Sequence, residues 1–347
     1  MASTMEHTSR WMSARGPASD TVLSARVRIA RNIKGYPFPG LASDDTSGEV
    51  RDRVSEAIKL EKMTAEYSWQ HLENISTLEK EACLDRHLIS PFLAREAKMA
   101  ALALSRDEAL GVLVNEEDHL RIQAILPGLQ LEEALRSAAQ LDDLLEEALG
   151  FAFDEKLGYL TACPTNLGTG LRASVMLHLP ALVSTGQIRR YLGALPRIGF
   201  TIRGLYGEGS EIAGNLLQVS NQITLGQSEE EGVANLHCIV NRIIEQEQKA
   251  RQKLLDRKRD AIADSAYRAL GLLRYARVMS STEAMELLSD LRLGCEMGLV
   301  REVDSSAVNR LMVVSRPGYL QMLKGREMSS EERDLERPLQ MRKYLDD

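Results

Sequence analysis

No stretch of this 347-residue chain is apolar for long enough to cross a membrane. Its first twenty residues mix Ser, Thr, Met, His and Arg around no apolar core, so no secretory signal is visible. Cysteine is scarce: Cys83, Cys163, Cys238 and Cys295 lie far apart and form no C-x-x-C pair. That argues against a zinc site or a disulfide framework and fits a reducing, cytoplasmic setting. Positive charge is also in deficit. With a formal net charge of -7, general attraction to nucleic acid or to anionic membrane is not expected, and a phosphate site must be built from locally clustered arginines. The chain has no G-x-x-x-x-G-K-[ST], no H-R-D…N and no D-F-G, which excludes a P-loop and a protein-kinase fold. Neither an internal repeat nor a low-complexity tract is found.

What is present suits a folded enzyme. The chain is 44% hydrophobic and 27% charged, enough apolar mass for a sizeable core in one large or two smaller domains. The pattern predicts a flexible leader over 1–20, alternating strands and helices over about 21–226, a composition shift near Asn241 and a separate all-helical unit over the last hundred residues. Strands are expected at 110–114, 120–126, 158–163, 173–179, 198–205 and 216–225. A strong helix is expected at 131–149. Leu131, Leu135, Ala138, Leu145 and Leu149 form its apolar face, with Glu132, Glu133, Asp142 and Glu146 turned away. A long charged helix is expected over 244–277. Ser280-x-x-Glu283 opens another to about 294. The Lys/Arg-dense stretch 249–260 carries interleaved acids, which favours a solvated or dimer-forming helix over a nucleic-acid contact.

Four segments carry chemistry. Cys163-Pro-Thr-Asn-Leu-Gly-Thr-Gly-Leu-Arg172-Ala-Ser174 sets a thiol, a Gly-rich turn and an arginine within ten positions, either a plain hairpin loop or an anion-facing turn. Ser24-Ala-Arg26-Val-Arg28, followed by Arg31, puts Arg26 and Arg28 on one strand face, where they repel unless solvated or shared by an anion. Asn115-Glu116-Glu117-Asp118-His119, with Arg121 beyond it, packs three carboxylates into a turn, as an exposed acidic hairpin or around a cation. Arg203-Gly-Leu-Tyr-Gly-Glu-Gly-Ser-Glu211 reads as a mobile surface loop or a lid. Together, Arg26, Arg28, Arg121, Arg172 and Arg203 can cage a polyphosphate while Glu117 and Glu211 hold a cationic acceptor, the requirements of phosphoryl transfer.

These segments, in this order over about residues 21–250, resemble the ATP:guanidino phosphotransferases, or phosphagen kinases. Cys163–Thr169, Asn115–Arg121 and Ser24–Arg28 carry the likeness. Arg172–Pro180 and Arg203–Glu211 resemble one branch, the bacterial protein-arginine kinases (McsB type). The layout does too: phosphagen kinases place a helical domain ahead of the first arginine motif, whereas here a helical unit follows the catalytic one.

The resemblance implies an α+β, glutamine-synthetase-like catalytic unit over 21–250, a large antiparallel β-sheet flanked by helices, followed by an all-helical phosphoarginine-binding and dimerisation unit over 251–347. It implies that Ser24, Arg26, Arg28, His87 (in Arg86-His87-Leu88-Ile89-Ser90), Arg121, Arg172, Ala173, Ser174, Val175, Met176, Arg203, Gly204, Leu205, Tyr206, Gly207 and Glu208 bind ATP. Glu117 would be the base, Glu211 the second carboxylate and Cys163 a thiolate against the acceptor guanidinium. Mg²⁺ would ride on ATP, with no direct protein ligand and with Glu116 or Asp118 touching it through water. In the helical unit Arg333, Asp334 and Arg337 match a phosphoarginine-binding R-D-x-x-R-A motif. Pro338 replaces its alanine, so a helix running through 338 is expected to be disturbed. Ala25, where serine is common, is expected to matter little. The implied activity is phosphorylation of arginine in proteins, marking them in stress response and quality control for a AAA+ unfoldase–protease. A small activator and a homodimer are also implied. The alternatives are a kinase of free arginine or another small guanidino compound, and a degenerate kinase acting as an adaptor.

Overall fold

The computed structural model describes residues 9–60, 67–204 and 213–346. In chain order its strands are β1 (Val22–Arg31), β2 (Tyr67–His71), β3 (Ala101–Ser105), β4 (Leu110–Val114), β5 (Leu120–Pro127), β6 (Phe153–Asp154), β7 (Gly158–Tyr159), β8 (Leu171–His178), β9 (Phe200–Gly204) and β10 (Leu216–Asn221). The helices are α1 (Asp44–Leu60), α2 (Thr77–Asp85), α3 (Pro91–Arg95), α4 (Leu131–Leu149), α5 (Pro180–Ser184), α6 (Ile188–Ala194), α7 (Glu229–Tyr275), α8 (Ser281–Glu296), α9 (Ser305–Val314), α10 (Pro317–Lys324) and α11 (Ser330–Asp346).

Eight strands form one sheet in the order β2-β3-β4-β5-β1-β8-β10-β9, and every pairing in it is antiparallel. Strand alternation then sorts the side chains. Val27, Ile29, Ile122, Ala124, Ala173, Val175 and Val219 point to one face and join a core with Leu135, Ala138 and Leu145 of α4 and with Leu236, Val240 and Ile243 of α7. The opposite face carries the arginines. Arg28 stands across from Arg172, Arg26 from Ser174, Arg121 from Ala30 and Arg203 from Gln218.

Three expectations change. The strand foreseen at 158–163 is only Gly158–Tyr159, which pairs with β6, while β8 pairs with β1 and β10. The Cys163 loop is therefore not a hairpin between paired strands. Asp142 does not face away: it is buried on the apolar stripe of α4, at the i+4 position from Ala138, because Arg31 neutralises it. The leader is not loose throughout. Trp11 and Met12 are buried against Val313, Val314 and Tyr319, and the Ser19 and Asp20 carbonyls accept from the fully buried Arg292 at 2.7 and 3.1 Å. Residues 1–8 lie outside the described residues.

The long helix starts earlier than its charge pattern suggests. Ser228 caps it, accepting from Glu231 N–H while the Glu231 carboxylate accepts from Ser228 N–H, and α7 then runs for 47 residues across the expected domain boundary. Its helical dihedrals fail once, at Lys258. Beyond that point Ala266, Ala269, Leu270 and Leu273 build a second core with Met285, Leu288 and Leu291 of α8 and with Leu311 and Met312 of α9. Ser280 caps α8 by accepting from Glu283 N–H, as expected from the motif.

Pro338 lies inside α11 without ending it. Proline withholds the N–H that would bond the carbonyl four residues back, that of Asp334. Met279 N–H supplies that bond instead, at 2.9 Å, so the carbonyl is satisfied and the helix continues.

Candidate active site

The arginine face is built from like charges at close quarters. Arg26 Nε reaches Ser174 Oγ at 3.5 Å and its Nη2 reaches Gln218 Oε1 at 3.4 Å, both long contacts. The Nε atoms of Arg28, Arg121 and Arg172 are buried with no hydrogen-bond partner among the described residues. Burial, then Arg121 and Arg172, push the Arg26 pKa down to about 10. Arg28 is pushed down further by burial, Arg26, Arg121 and Arg172, with Glu116 alone pulling it back. Burial and the neighbouring Arg203 lower Arg172, opposed by Cys163 and Glu117. A protein that buries guanidiniums this way stores repulsion that a polyanion relieves, and the orphaned donors suit phosphate oxygens.

Two cavities meet at this cluster. One, of about 400 Å³, is walled by Arg26, Arg28, His87, Ser90, Arg121, Met176, Arg203 and Gly204. The other, of about 280 Å³, is walled by Arg28, Glu116, Glu117, Asp118, Arg121, Cys163, Thr165, Asn166 and Arg172. Arg28 and Arg121 belong to both.

In the acidic turn the three carboxylates have separate surroundings. Asn115 takes a left-handed φ of 56° and pins the turn, its Nδ2 donating to the Ser47 and Met99 carbonyls at 2.8 Å each. Glu116 is buried and ion-paired with Arg121. Asp118 is buried, and its Oδ1 accepts from Asn32 Nδ2 at 2.6 Å and from Ala162 N–H at 2.7 Å. Burial, reinforced by Glu117 and Glu116, raises its pKa against those two bonds. His119 Nδ1 accepts from Ile33 N–H at 3.0 Å, which leaves Nε2 to carry the proton toward the Pro37 carbonyl at 2.9 Å. Burial keeps this imidazole neutral. Glu117 alone is exposed, and it faces the smaller cavity.

The Cys163 loop is held from beneath. Arg31, 1% exposed, gives Nε and Nη2 to Asp142 Oδ2 at 3.0 and 2.6 Å and Nη1 to the Thr169 carbonyl at 2.7 Å. Its guanidinium also lies 3.4 Å from the centre of the Tyr159 ring. Gly168 crosses the Thr224 backbone at φ +108°, where a Cβ would sit 2.3 Å from a carbonyl oxygen. Cys163 emerges partly exposed, Sγ 3.0 Å from Thr165 Oγ1.

His87 also sits at positive φ, 64°, its carbonyl accepting from Gln123 Nε2 at 3.0 Å. Burial, then Arg316 and Arg26, hold its imidazole neutral. Ser24, Ser174 and Met176 lie with it on the arginine side. Ala173 and Val175 do not: their side chains point into the core, so only their backbone is left to meet a ligand. Leu205, Tyr206, Gly207, Glu208 and Glu211 lie outside the described residues. Gln123, Gln218, Thr165 and Asn166 also line the cavities. The two glutamines share the arginine face by strand alternation, a signal that was available in the sequence.

The acidic residues do not make a Mg²⁺ cage. Glu116 is spent on Arg121 and Asp118 on Asn32 and Ala162, and among the described residues no group of three His, Cys, Asp or Glu converges as a metal site would require. A hard divalent ion would come with the nucleotide, held by phosphate oxygens and water. In the helical unit Arg337 is 1% exposed and braces the interior, donating Nε to the Ser315 carbonyl at 2.7 Å and Nη1 to Asp334 at 2.7 Å. Arg333 and Asp334 are partly exposed. Among the described residues, no helix is long and apolar enough to cross a membrane.

Residues 49–250 match the ATP:guanido phosphotransferase C-terminal catalytic domain, and residues 259–347 match the protein-arginine kinase McsB C-terminal domain. The chain is 48% identical to the protein-arginine kinase of Brevibacillus brevis, covering 97% of this chain and 95% of that one. It is 48% identical to the protein-arginine kinase of Moorella thermoacetica, covering 99% of each. A crystal structure of lombricine kinase shares the fold, with a TM-score of 0.59 over 68% of each chain at 23% identity. A sheet that gathers arginines on one face, an acidic turn beside a thiol loop, and full-length likeness to these kinases lead to one conclusion: the chain belongs to the protein-arginine kinase family of ATP:guanido phosphotransferases.

Proposed function

We propose that this enzyme transfers the γ-phosphoryl group of ATP to the guanidinium of arginine residues in proteins. The observation that carries the reading is the pair of cavities joined at Arg28 and Arg121, one lined by arginines and the other setting the carboxylates of the acidic turn and Cys163 beside them. The larger takes the nucleotide, with Arg26, Arg28, Arg121 and Arg203 on its phosphates and Arg172 reaching them from the smaller cavity, and Mg²⁺ would accompany the nucleotide. The smaller takes the acceptor guanidinium against Glu117 and Cys163, with Glu211 as second carboxylate.

A protonated guanidinium is a poor nucleophile. Glu117 orients its plane and accepts its proton as the N–P bond forms and the bond from Pγ to the bridging oxygen breaks, releasing ADP. Buried arginines neutralise the charge that builds on the leaving phosphate, and their placement is fixed before substrate arrives. Cys163 supports the acceptor cation from the loop side.

Relatives named for protein arginine support a polypeptide acceptor over a free one. The finer readings follow from it: modified proteins pass to a AAA+ unfoldase–protease, a small activator partners the enzyme, the chain works as a homodimer, and Arg333 with Asp334 binds phosphoarginine beside the buried Arg337. Incubation with Mg·ATP and either an arginine-rich unfolded protein or free arginine tests the central claim. Acid-labile phosphate on the protein is expected. Labelling of free arginine alone would transfer the assignment to a small-guanidine kinase.

A further inference from the structure

Arg316 belongs to the helical unit, yet its side chain reaches the wall of the larger cavity in the company of Arg26, His87 and Arg203. It is the residue that caps α10, held in extended backbone just ahead of Pro317. The seating of α10 on α2 brings it there. At Gly318 a Cβ would lie 2.7 Å from the backbone of Glu81, so the two helices touch as closely as glycine allows. Asp85, the last residue of α2, grips the start of α10 twice: Oδ2 accepts from Tyr319 N–H at 3.0 Å and Oδ1 lies 3.1 Å from Arg316 Nε. His87 follows Asp85 by two residues, and cations from opposite ends of the chain, Arg316 and Arg26, both act on its imidazole.

We propose that Arg316 is a nucleotide-binding residue supplied by the helical unit, its guanidinium contacting the phosphate-bearing nucleotide beside His87. Nucleotide affinity then depends on α10 staying seated against α2. The inference rests on assigning the larger cavity to the nucleotide. It explains why a catalytic cavity includes a side chain from beyond the catalytic sequence: a guanidinium is the group best matched to phosphate, and the α2–α10 contact delivers one more.

The test is titration calorimetry of the full chain with ATP, alongside thermal melting and KM measurements. Arg316→Ala is expected to weaken ATP binding about tenfold, the scale of a lost charge-assisted hydrogen bond. KM for ATP should rise while KM for the protein acceptor stays put. Asp85→Asn keeps the acceptor for Tyr319 N–H and leaves Arg316 in place, so ATP affinity should stay within about twofold of wild type. Equal weakening in both variants would mean a purely structural ion pair and overturn the proposal. Arg28→Ala separates this inference from the assignment beneath it. If Arg28→Ala weakens ATP binding and Arg316→Ala does not, the inference fails and the nucleotide cavity stands. If neither changes affinity, both fall. Should Arg316→Ala not fold, Arg316→Gln carries the test, and wild-type affinity in that variant would sink the idea.

Discussion

Arg28 on β1 stands directly across from Arg172 on β8, so two guanidiniums occupy neighbouring positions on the same sheet face. The fold tolerates this repulsion between strands that are otherwise well paired. Substituting either arginine should therefore affect stability and activity in opposite directions. Arg28→Ala is expected to keep or raise the melting temperature of the nucleotide-free enzyme, by about 1–2 °C if about 1 kcal/mol of repulsion is removed. ATP should no longer raise the melting temperature, and kcat/KM should fall by about two orders of magnitude or more. Destabilisation of the free enzyme would show that the cluster is not strained.

Glu117 and Glu116 are adjacent and should behave differently. Glu117 is exposed in the smaller cavity, whereas Glu116 is buried on Arg121. Glu117→Gln is expected to lower kcat by about 10²–10⁴-fold, the range of a lost general base, with ATP affinity nearly unchanged. Glu116→Gln releases Arg121 from its partner and should register first in KM for ATP. Steady-state kinetics with both substrates varied distinguishes the two, and unchanged kcat in Glu117→Gln would remove it from the proton transfer.

His178 predicts an acid limit to stability. It is fully buried, its Nδ1 accepting from Arg292 at 3.0 Å and its Nε2 lying 2.8 Å from Ser289 Oγ. Burial, Arg292 and Arg251 depress its pKa well below 6.5. The unfolded chain then binds a proton at this site that the folded one refuses, so stability falls as pH drops below the unfolded value of about 6.5. The slope is about 1.4 kcal/mol per pH unit for one proton. His178→Asn keeps an acceptor for Arg292 and does not titrate. Denaturant melts between pH 7.5 and 5.5, about one unit either side of that value, should show a shallower pH slope for it than for wild type.

Arg337 and Arg333 share a motif but have different roles. Arg337→Ala strips donors from the buried Ser315 and Met279 carbonyls and should cost about 2–4 kcal/mol of stability. Arg333 is partly exposed, and Arg333→Ala should change the melting point little. Any response of turnover to added phosphoarginine should disappear in Arg333→Ala with the fold intact. A similar loss of stability in both variants would contradict the buried-brace role of Arg337.

Much of the site was legible because its residues act locally. Two arginines two positions apart on a strand must share a face, and the acidic turn and thiol loop are continuous in sequence. What joins them was hidden. The β1–β8 pairing spans well over a hundred residues, and no periodicity reveals which strands become neighbours. Arg31 and Asp142 read as surface charges because each buries only by finding the other. The start of α7 lies ahead of the expected one although Ser228-Glu229-Glu230-Glu231 is a capping box, because residues 232–241 carry no Asp, Glu, Lys or Arg and the dense charge pattern resumes only at Arg242. Pro338 reads as a disturbance to a helix because the donor that rescues Asp334, Met279 N–H, comes from outside that helix.

The run of α7 through residue 250, eight residues short of its irregularity at Lys258, also bears on how this enzyme can be taken apart. A cut at residue 250 would sever a helix rather than a tether, and would strip Leu23, Met176 and Leu216 from the core they share with Ala266, Leu270 and Leu273. It would also withdraw Arg292 from His178 and Arg316 from the cavity. The catalytic half is therefore not a portable module. Its boundary can be drawn in sequence, but the physical seam runs through shared side chains.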